Sequence, residues 1–398
     1  MEAPLALATL LGGYPVKSVD VAGAGRSLVA GRDLRRGEVV LVSRAAGVSL
    51  RGPRRAHWCA HCLGCCGSEK LRLACGGCGA RFCSAACARA AGVRGGSHWR
   101  GACEARQAAA AAAPPGAGDT LAALLVDLLA RRMRELEPDE VEDSDASDSS
   151  SSEGESEGAG ATGADGCDSQ GFDALALAAP LPSSRHVADL VVPPTADATA
   201  FGQAERFELA THVAATTVCA LRDAGGGAAA LLSGGVDAPS AAVLLRGELC
   251  NAFGLWEPRL PSEFEADTAG KGVFPAAALL NHSCEPNTYH DVVRAPFGGA
   301  LVVRALVDVG AGEPLTHAYG ALRSARASAR RRALRPWCFS CSCARCERDD
   351  PRADAPMLAA RVCVCGNACP QQASAAMDKD GGGNGVCACD LTNALPME

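Results

Sequence analysis

The cysteines of this chain are grouped in a way that restricts the folds open to it. There are 22 cysteines among 398 residues, and the densest group, at residues 59–103, contains few apolar side chains that could form a core. A segment of this composition needs metal in order to fold. The candidate ligands form four pairs, enough for two tetrahedral zinc ions: Cys59 with Cys62, Cys75 with Cys78, Cys83 with Cys87, and His98 with Cys103.

A second group of cysteines is incomplete on its own. Cys341, Cys343 and Cys346 are closely spaced, and a tetrahedral zinc site needs one more ligand. Cys284 can supply it, from the heptapeptide Asn-His-Ser-Cys-Glu-Pro-Asn at residues 281–287. One zinc ion would then connect the Asn-His pair, which is suited to holding a polar ligand, to a segment far along the chain.

The remaining cysteines near the end of the sequence could form a fourth zinc site. This group consists of Cys363, Cys365, Cys369, Cys387 and Cys389. Paired cysteines suit zinc in a reducing compartment better than a disulfide framework. The first twelve residues carry Glu2 and no Lys or Arg, unlike an export signal. No run reaches the roughly 18–20 apolar residues of a membrane span, so we expect an intracellular zinc protein without a membrane partner.

The net charge of −7 comes from one segment. Residues 135–168 contain 13 Asp or Glu and no Lys or Arg, and the rest of the chain has 38 basic and 32 acidic residues. Ser, Gly, Asp and Glu dominate about residues 138–171, which predicts disorder because little apolar surface can be buried. The small basic excess elsewhere does not indicate a nucleic-acid partner.

Periodicity predicts a mixture of helices and short strands. Strand patterns occur at residues 16–21, 27–30, 38–42, 300–306 and 314–319. Helical patterns occur at residues 119–136, 204–222, 241–253 and 323–335. The last of these is rich in arginine, and we expect it to present a solvated face.

The first cysteine group resembles a MYND finger in its spacing and in the sequence Phe82-Cys83-Ser84. The resemblance implies interleaved ligand sets, listed here by zinc ion: Cys59, Cys62, Cys83 and Cys87 for one, and Cys75, Cys78, His98 and Cys103 for the other. Ten residues separate Cys87 from His98, where about seven are usual in MYND fingers. The spare thiols of Cys65 and Cys66 therefore remain alternatives for the last ligand pair.

Over roughly residues 16–346 the chain resembles the SMYD family, in which a MYND finger is inserted into a SET domain. Five segments carry this resemblance in the family's order: Gly25-Arg26-Ser27-Leu28, Cys250-Asn251-Ala252-Phe253, Gly272-Val273-Phe274-Pro275, Leu280-Asn281-His282, and Trp337-Cys338-Phe339-Ser340-Cys341. The implied fold is α+β, a β-rich SET core split by the finger and a helical insert, with a zinc-bound post-SET segment. The implied limits are 14–50 and 246–320 for the SET core, 59–103 for the finger, 104–245 for the insert, 321–346 for the post-SET segment and 347–398 for a cysteine-containing tail.

The resemblance also implies an activity, protein-lysine N-methylation with S-adenosylmethionine as methyl donor, on histone or non-histone proteins in the nucleus and cytoplasm. Tyr319 would present its hydroxyl to the substrate amine. The implied cofactor-binding residues are Arg26, Cys250, Asn251, Leu280, Asn281, His282, Tyr319, Trp337 and Phe339. The zinc held by Cys284, Cys341, Cys343 and Cys346 would have a structural role. We expect a monomer with a protein substrate.

An alternative is a zinc adaptor whose SET domain does not catalyse methyl transfer. The MYND finger would then recruit proline-rich peptides in transcriptional regulation. Ser27 stands where the family's cofactor loop has its second glycine, and Trp337 stands where the family has tyrosine. We also expect this chain to lack the helical repeat domain that walls the substrate cleft in SMYD proteins.

Overall fold

The structure is a computed structural model that describes most of the chain. It covers residues 5–21, 25–50, 53–64, 70–93, 98–136, 174–190, 192–255, 269–295, 298–320, 326–348, 350, 361–362 and 368–369. The acidic segment at 138–171, the spare thiols Cys65 and Cys66, and the side chains of the tail cysteines lie outside this part, so the predictions made for them stay predictions. The predicted domain limits likewise stay predictions.

The described residues form fourteen short strands. These are β1 (Val16–Val21), β2 (Gly25–Ala30), β3 (Val39–Arg44), β4 (Gly47–Leu50), β5 (Leu73–Ala74), β6 (Arg81–Phe82), β7 (Ala252–Leu255), β8 (Gly270–Val273), β9 (Asn281–His282), β10 (Thr288–Val293), β11 (Ala300–Ala305), β12 (Pro314–His317), β13 (Arg361–Val362) and β14 (Ala368–Cys369). Three sheets build the β-rich core, with the orders β1-β2-β12-β9, β10-β11-β3 and β4-β8-β7.

Twelve α-helices accompany the strands in the described residues. They are α1 (Leu5–Thr9), α2 (Ala85–Gly92), α3 (Arg100–Ala112), α4 (Ala117–Leu136), α5 (Ala174–Ala178), α6 (Ser184–Ala188), α7 (Thr195–Ala200), α8 (Ala204–Ala224), α9 (Gly226–Ala230), α10 (Ala238–Asn251), α11 (Ala327–Ala333) and α12 (Ala344–Arg348). Among these residues, no helix combines the length and the hydrophobicity that crossing a membrane requires. The described residues thus combine helices with a β-rich core, as the predicted α+β fold class requires.

Two hydrophobic cores lie side by side. The first packs the three sheets together and contains Leu28, Leu41, Phe274 and Leu315. In the sheet of order β10-β11-β3, side chains on both faces of β3 and β11 are buried, which explains why these strands read as continuous apolar runs and not as alternating ones. The second core is helical and joins α3, α4, α8 and α10 through residues such as Leu125 and Leu221.

A buried carboxylate attaches the helical core to the sheets. Asp127 on α4 is only 2% exposed, and its Oδ2 accepts the backbone N–H of Val48 in β4 at 2.7 Å. The same oxygen accepts from Nε of Arg131 at 3.1 Å, and Oδ1 accepts from Arg106 on α3 at 3.0 Å. Because a buried charge is tolerated only when it is paired and hydrogen-bonded, these contacts specify how α3 and α4 sit on β4.

Among the predicted elements whose ends differ from the structure, three lie at or near the residues expected in the site. The helix expected at 241–253 ends at Asn251, because Ala252 and Phe253 pair with β8 as strand β7. The strand expected at 314–319 ends at His317, so Tyr319 follows the strand. The helix expected at 323–335 is observed as α11, followed by a 3₁₀ turn over Arg335–Trp337.

Candidate active site and metal clusters

Three groups of metal-type ligands come together in the described residues. In each group the four ligand atoms all lie within 4.8 Å of one another. The first cluster is Cys59, Cys62, Cys83 and Cys87; the second is Cys75, Cys78, His98 and Cys103; the third is Cys284, Cys341, Cys343 and Cys346. These are the same three sets that the sequence predicted, and their cysteines are all free thiols.

The spacing of the ligand atoms fits zinc. Four sulfurs at about 2.3 Å from an ion in a tetrahedron would be roughly 3.8 Å apart. The Sγ atoms of Cys62 and Cys83 are 3.7 Å apart, those of Cys75 and Cys103 are 3.6 Å apart, and those of Cys284 and Cys341 are 3.9 Å apart. Thiolates with imidazole are the usual donors of closed structural zinc sites, so the residues present fit this ion.

The first cluster joins the finger to the sheets. Cys87 lies in the first turn of α2, which Ser84 caps by accepting the backbone N–H of Cys87 at 3.1 Å. Arg294, just after β10, donates from Nη2 to Sγ of Cys83 at 3.6 Å. The backbone N–H of Ala295 donates to the carbonyl of Cys62 at 3.3 Å. The finger is thus seated against the end of β10.

The second cluster is local and more exposed. All four of its ligands are half-buried, and Cys103 lies in the first turn of α3. Its Sγ receives a contact from the side-chain amide of Gln107 at 3.6 Å. The ring of His98 packs edge-on against Phe82 with centroids 5.2 Å apart. This cluster fastens the β5-β6 hairpin to the start of α3.

The third cluster is buried beside two arginines that sequence reasoning missed. Arg330 on α11 is fully buried and donates from Nη2 to Sγ of Cys346 at 3.6 Å. Arg345 on α12 is 2% exposed and donates from Nη1 to the carbonyl of Cys284 at 3.2 Å. The expectation that the arginine-rich run presents a solvated face is wrong for Arg330, because α11 packs this side chain against the cluster.

His282 connects the third cluster to Tyr319. Its Nδ1 accepts the backbone N–H of Tyr319 at 3.0 Å, and its Nε2 lies 3.2 Å from Sγ of Cys284. Burial lowers the pKa of His282 to about 4, so the ring is neutral near pH 7, as an accepting Nδ1 requires. Both ring nitrogens of His282 thus contact protein atoms.

Strand β9 brings the Asn-His pair to β2 and β12. Thr316 pairs with Asn281 and His317 pairs with His282 in parallel register. The side-chain amide of Asn281 donates to the carbonyl of Arg26 in β2 at 3.1 Å. The guanidinium of Arg26 donates to the carbonyl of Asp189. Asn281 is thus held on the backbone of β2, and the side chain of Arg26 reaches the residue that follows α6.

Tyr319 forms the centre of an aromatic cluster. Its hydroxyl donates to the carbonyl of Leu280 at 2.8 Å, and burial raises the pKa of this phenol above its ordinary value. The ring centroid lies 5.5 Å from that of Trp337 and 6.1 Å from that of Phe339, the latter edge-on. Cys338, between these two aromatic residues, has a left-handed backbone with φ +57°. The resulting sharp turn lets both neighbours contact Tyr319.

The end of α10 completes the surroundings of Tyr319. Sγ of Cys250 contacts the carbonyl of Pro336 at 3.9 Å, and burial raises the pKa of the Cys250 thiol to about 12. Asn251 uses its side-chain amide to donate to the carbonyl of Gly247 at 2.7 Å, which keeps it on the last turn of the helix.

Two histidines extend the aromatic cluster and had no predicted role. The rings of His290 and His317 are 4.7 Å apart, and Phe253 lies 5.3 Å and 5.6 Å from them. His317 is also 6.0 Å from Tyr319. A signal was present in the sequence, because residues two apart in an extended segment share a face, which places His317 and Tyr319 together.

The comparison with known families identifies this arrangement. The SET-domain family model matches residues 25–320, well over half of the chain. The chain belongs to the SET-domain family. The SET-domain match encloses the first two clusters as well as Asn281 and Tyr319, while the cysteines of the third cluster at 341–346 lie beyond it.

This SET-domain protein is similar to several curated methyltransferases over limited stretches. It is 34% identical over 106 residues to the histone-lysine N-methyltransferase SMYD3 of Homo sapiens, covering 27% of this chain and 22% of that protein. It is 31% identical over 109 residues to the histone-lysine N-methyltransferase ASHR2 of Arabidopsis thaliana, covering 27% of each. It is 36% identical over 86 residues to the protein-lysine N-methyltransferase SMYD4 of Mus musculus, covering 21% of this chain and 10% of that protein. The matched segments thus span about a quarter or less of these relatives, and the resemblance to SMYD proteins is confirmed.

Proposed function

We propose that this protein is a protein-lysine N-methyltransferase that uses S-adenosylmethionine and modifies a histone or another protein in the nucleus or cytoplasm. The observation that carries the proposal is the position of Tyr319, whose hydroxyl is held on the carbonyl of Leu280 inside an aromatic wall. SET-domain relatives named as lysine methyltransferases support the same activity.

The residues around β9 fit the proposed cofactor. Arg26 would supply a cation, Asn251 and Asn281 would supply amides, and Leu280 and His282, which both contact Tyr319, would supply main-chain and ring groups. Cys250 contacts the carbonyl of Pro336, the residue before Trp337. Trp337 and Phe339 would cover the same space from the other side. When bound, S-adenosylmethionine supplies the methyl group as a sulfonium.

The protein's own residues would act by alignment and by exclusion of water. Methyl transfer to an amine is a displacement along one line, so correct orientation is the main requirement. A lysine amine has a reference pKa near 10.4, and an apolar wall disfavours its charged form. The Tyr319 hydroxyl donates its hydrogen bond to the carbonyl of Leu280, and burial raises the pKa of this phenol. It therefore stays a neutral phenol, and its oxygen is left to accept a hydrogen bond from the substrate amine.

We also propose that the three clusters hold structural zinc ions. Each cluster offers four protein ligands, which closes a tetrahedral site and leaves no position for a substrate. The third ion would hold the segment of Trp337 and Phe339 against the heptapeptide that contains Asn281 and His282. A proline-rich peptide bound at the finger remains part of the proposal, as an additional partner.

Two measurements test the methyltransferase proposal. Calorimetric titration with S-adenosylmethionine should show binding to the zinc-loaded protein. Methylation of a peptide or protein library with labelled cofactor should fall at least about 100-fold in Tyr319→Phe, because the variant keeps the ring and loses the hydroxyl that positions the amine.

The matched control is Tyr14→Phe, since Tyr14 is half-buried, packs with Val42 of β3 and takes part in none of the ring contacts of Tyr319. This variant should keep full activity. Absence of cofactor binding in the wild-type protein would favour the adaptor alternative, and full activity in Tyr319→Phe would remove Tyr319 from its proposed role.

A further inference from the structure

The buried arginines at the third cluster require a physical explanation. Arg330 and Arg345 are 0% and 2% exposed, and removing a guanidinium from water is costly unless opposite charge and hydrogen bonds compensate. Their contacts lead to the cluster, from Arg330 to Sγ of Cys346 and from Arg345 to the carbonyl of Cys284. Arg331 adds a contact to the carbonyl of Cys346 at 2.9 Å.

The charge of each zinc centre depends on its ligands. Zinc with four thiolates has a net charge of −2, and zinc with three thiolates and a neutral imidazole has −1. The first and third clusters are of the four-thiolate kind and are mostly buried, whereas the second has one histidine and is half-buried. A buried dianion is therefore expected twice in this molecule, and both times it needs positive charge nearby.

The side chains that contact the ligand sulfurs differ in charge between the clusters in the same way. At the first cluster, Arg294 donates to Sγ of Cys83 at 3.6 Å. At the third, Arg330 donates to Sγ of Cys346 at the same distance. At the second, the uncharged amide of Gln107 faces Cys103, also at 3.6 Å. Arg106 lies near this second cluster, but its guanidinium forms an ion pair with Asp127 at 3.0 Å.

We propose that Arg330 and Arg345 at the third cluster, and Arg294 at the first, are the counter-charges of buried zinc tetrathiolates. Their positive charge and their N–H groups offset the excess negative charge, and this slows the loss of zinc. Such partners of the metal ligands commonly change metal affinity by roughly 10- to 100-fold. The inference rests on the zinc centres proposed above and is independent of methyl transfer.

The arginines also link zinc retention to the aromatic wall. Arg330 and Arg331 belong to α11, which leads directly into the 3₁₀ turn that ends at Trp337. Leu334, in the same stretch, packs fully buried among the cysteines of the third cluster together with Tyr319 and Trp337. A change that loosens the zinc at Cys346 should therefore also loosen the wall beside Tyr319.

The test measures zinc release from the full-length protein. Arg330→Met keeps an unbranched apolar stem and removes the guanidinium with its charge, and Arg332→Met makes the same change at an exposed position of the same helix. Zinc per chain is counted by native mass spectrometry, and its transfer to a chromogenic chelator is followed in time. We expect one of three ions to leave roughly 10- to 100-fold faster in Arg330→Met and no change in Arg332→Met.

Further variants separate charge from packing. Arg330→Lys should release zinc at nearly the wild-type rate, because it keeps the positive charge. Equal acceleration by Lys and Met would overturn the counter-charge role, and so would a wild-type rate in Arg330→Met. Substitution with Co²⁺ gives a spectroscopic readout, since the sulfur-to-metal charge-transfer band should shift in Arg330→Met and not in Arg332→Met.

The first and second clusters supply an independent comparison in case Arg330→Met does not fold. Arg294→Met should accelerate loss of one ion, and Gln107→Met, which removes an uncharged amide, should do so much less. Equal rates in these two variants would contradict the proposal. Wild-type protein without bound zinc would refute the zinc centres themselves, whatever the outcome of the cofactor titration.

Discussion

The second and third clusters use similar ligands for different structural tasks. In the second, Cys75 and Cys103 are 28 residues apart and every ligand is half-buried. In the third, Cys284 and Cys346 are 62 residues apart, and they join the heptapeptide of the SET core to α12. The second cluster stabilises a local hairpin, and the third cluster holds the proposed catalytic wall together. A metal cluster's importance for the site therefore depends on what its ligands connect.

The largest expected effect comes from removing a ligand from each of these clusters. Cys284→Ser should remove one zinc ion and abolish methylation, because the wall of Trp337 and Phe339 loses its attachment. Structural zinc contributes roughly 10–16 kcal/mol in small zinc domains, so local unfolding should follow. Cys78→Ser should also lose one ion but keep S-adenosylmethionine binding. Native mass spectrometry counts the zinc ions, and calorimetry measures S-adenosylmethionine binding in the two variants. Equal loss of cofactor binding in Cys284→Ser and Cys78→Ser would contradict the different tasks assigned to the two clusters.

A smaller effect is expected from a cavity beside the third cluster. Leu334 is fully buried among its cysteines, so Leu334→Ala should lower the free energy of unfolding by roughly 2–5 kcal/mol. Val93, at the end of α2 in the finger, is 54% exposed. Val93→Ala should change stability by no more than about 0.5 kcal/mol. Urea unfolding of both variants checks this, and similar midpoints would show that the third cluster is not the more tightly packed region.

Acid should lower the free energy of unfolding through His290, which packs with Phe253 and His317 in the aromatic cluster. Burial lowers the pKa of His290 to about 4, below the ordinary value near 6.5. The unfolded chain then binds this proton more tightly, so stability is lost as pH falls from 6.5 towards 4, by about 2–3 kcal/mol. His290→Phe should flatten this dependence in urea unfolding at several pH values. The matched control is His212→Gln, an exposed position on α8, which should leave the slope unchanged.

The smallest effect is expected from an exposed ion pair next to the third cluster. Arg348 donates to Glu285 at 3.1 Å, and both side chains are 54% exposed. Because exposed pairs are solvated and screened, Arg348→Ala should cost at most about 0.5–1 kcal/mol and leave zinc release unchanged. If Arg348→Ala released zinc as fast as Arg330→Met, any positive charge near the cluster would have the effect that we assign to the buried charge of Arg330.

Much of the candidate site was predictable because its chemistry is carried by rare residue types. Cysteines at short spacings have few other uses in a reducing compartment, and all twelve predicted ligands come together in three groups. Tyr319 could be singled out because it is one of only 3 tyrosines and follows a strand pattern. Common residue types carried less information. The ends of α10 and β12 were misplaced, since pairing of Ala252 with Val273 overrides the helical pattern that precedes it.

The amino-acid sequence by itself determined the candidate metal-ligand sets, the α+β class and the family, because these depend on which residues occur and in what order. Only the tertiary structure decided what surrounds them. Three adjacent arginines, 330 to 332, look alike in the sequence, and packing of α11 alone buries Arg330 against Cys346. Packing likewise directs the ring of His282 to Tyr319 and Cys284. Burial and partners arise from contacts between distant segments, and these set the electrostatics of the site.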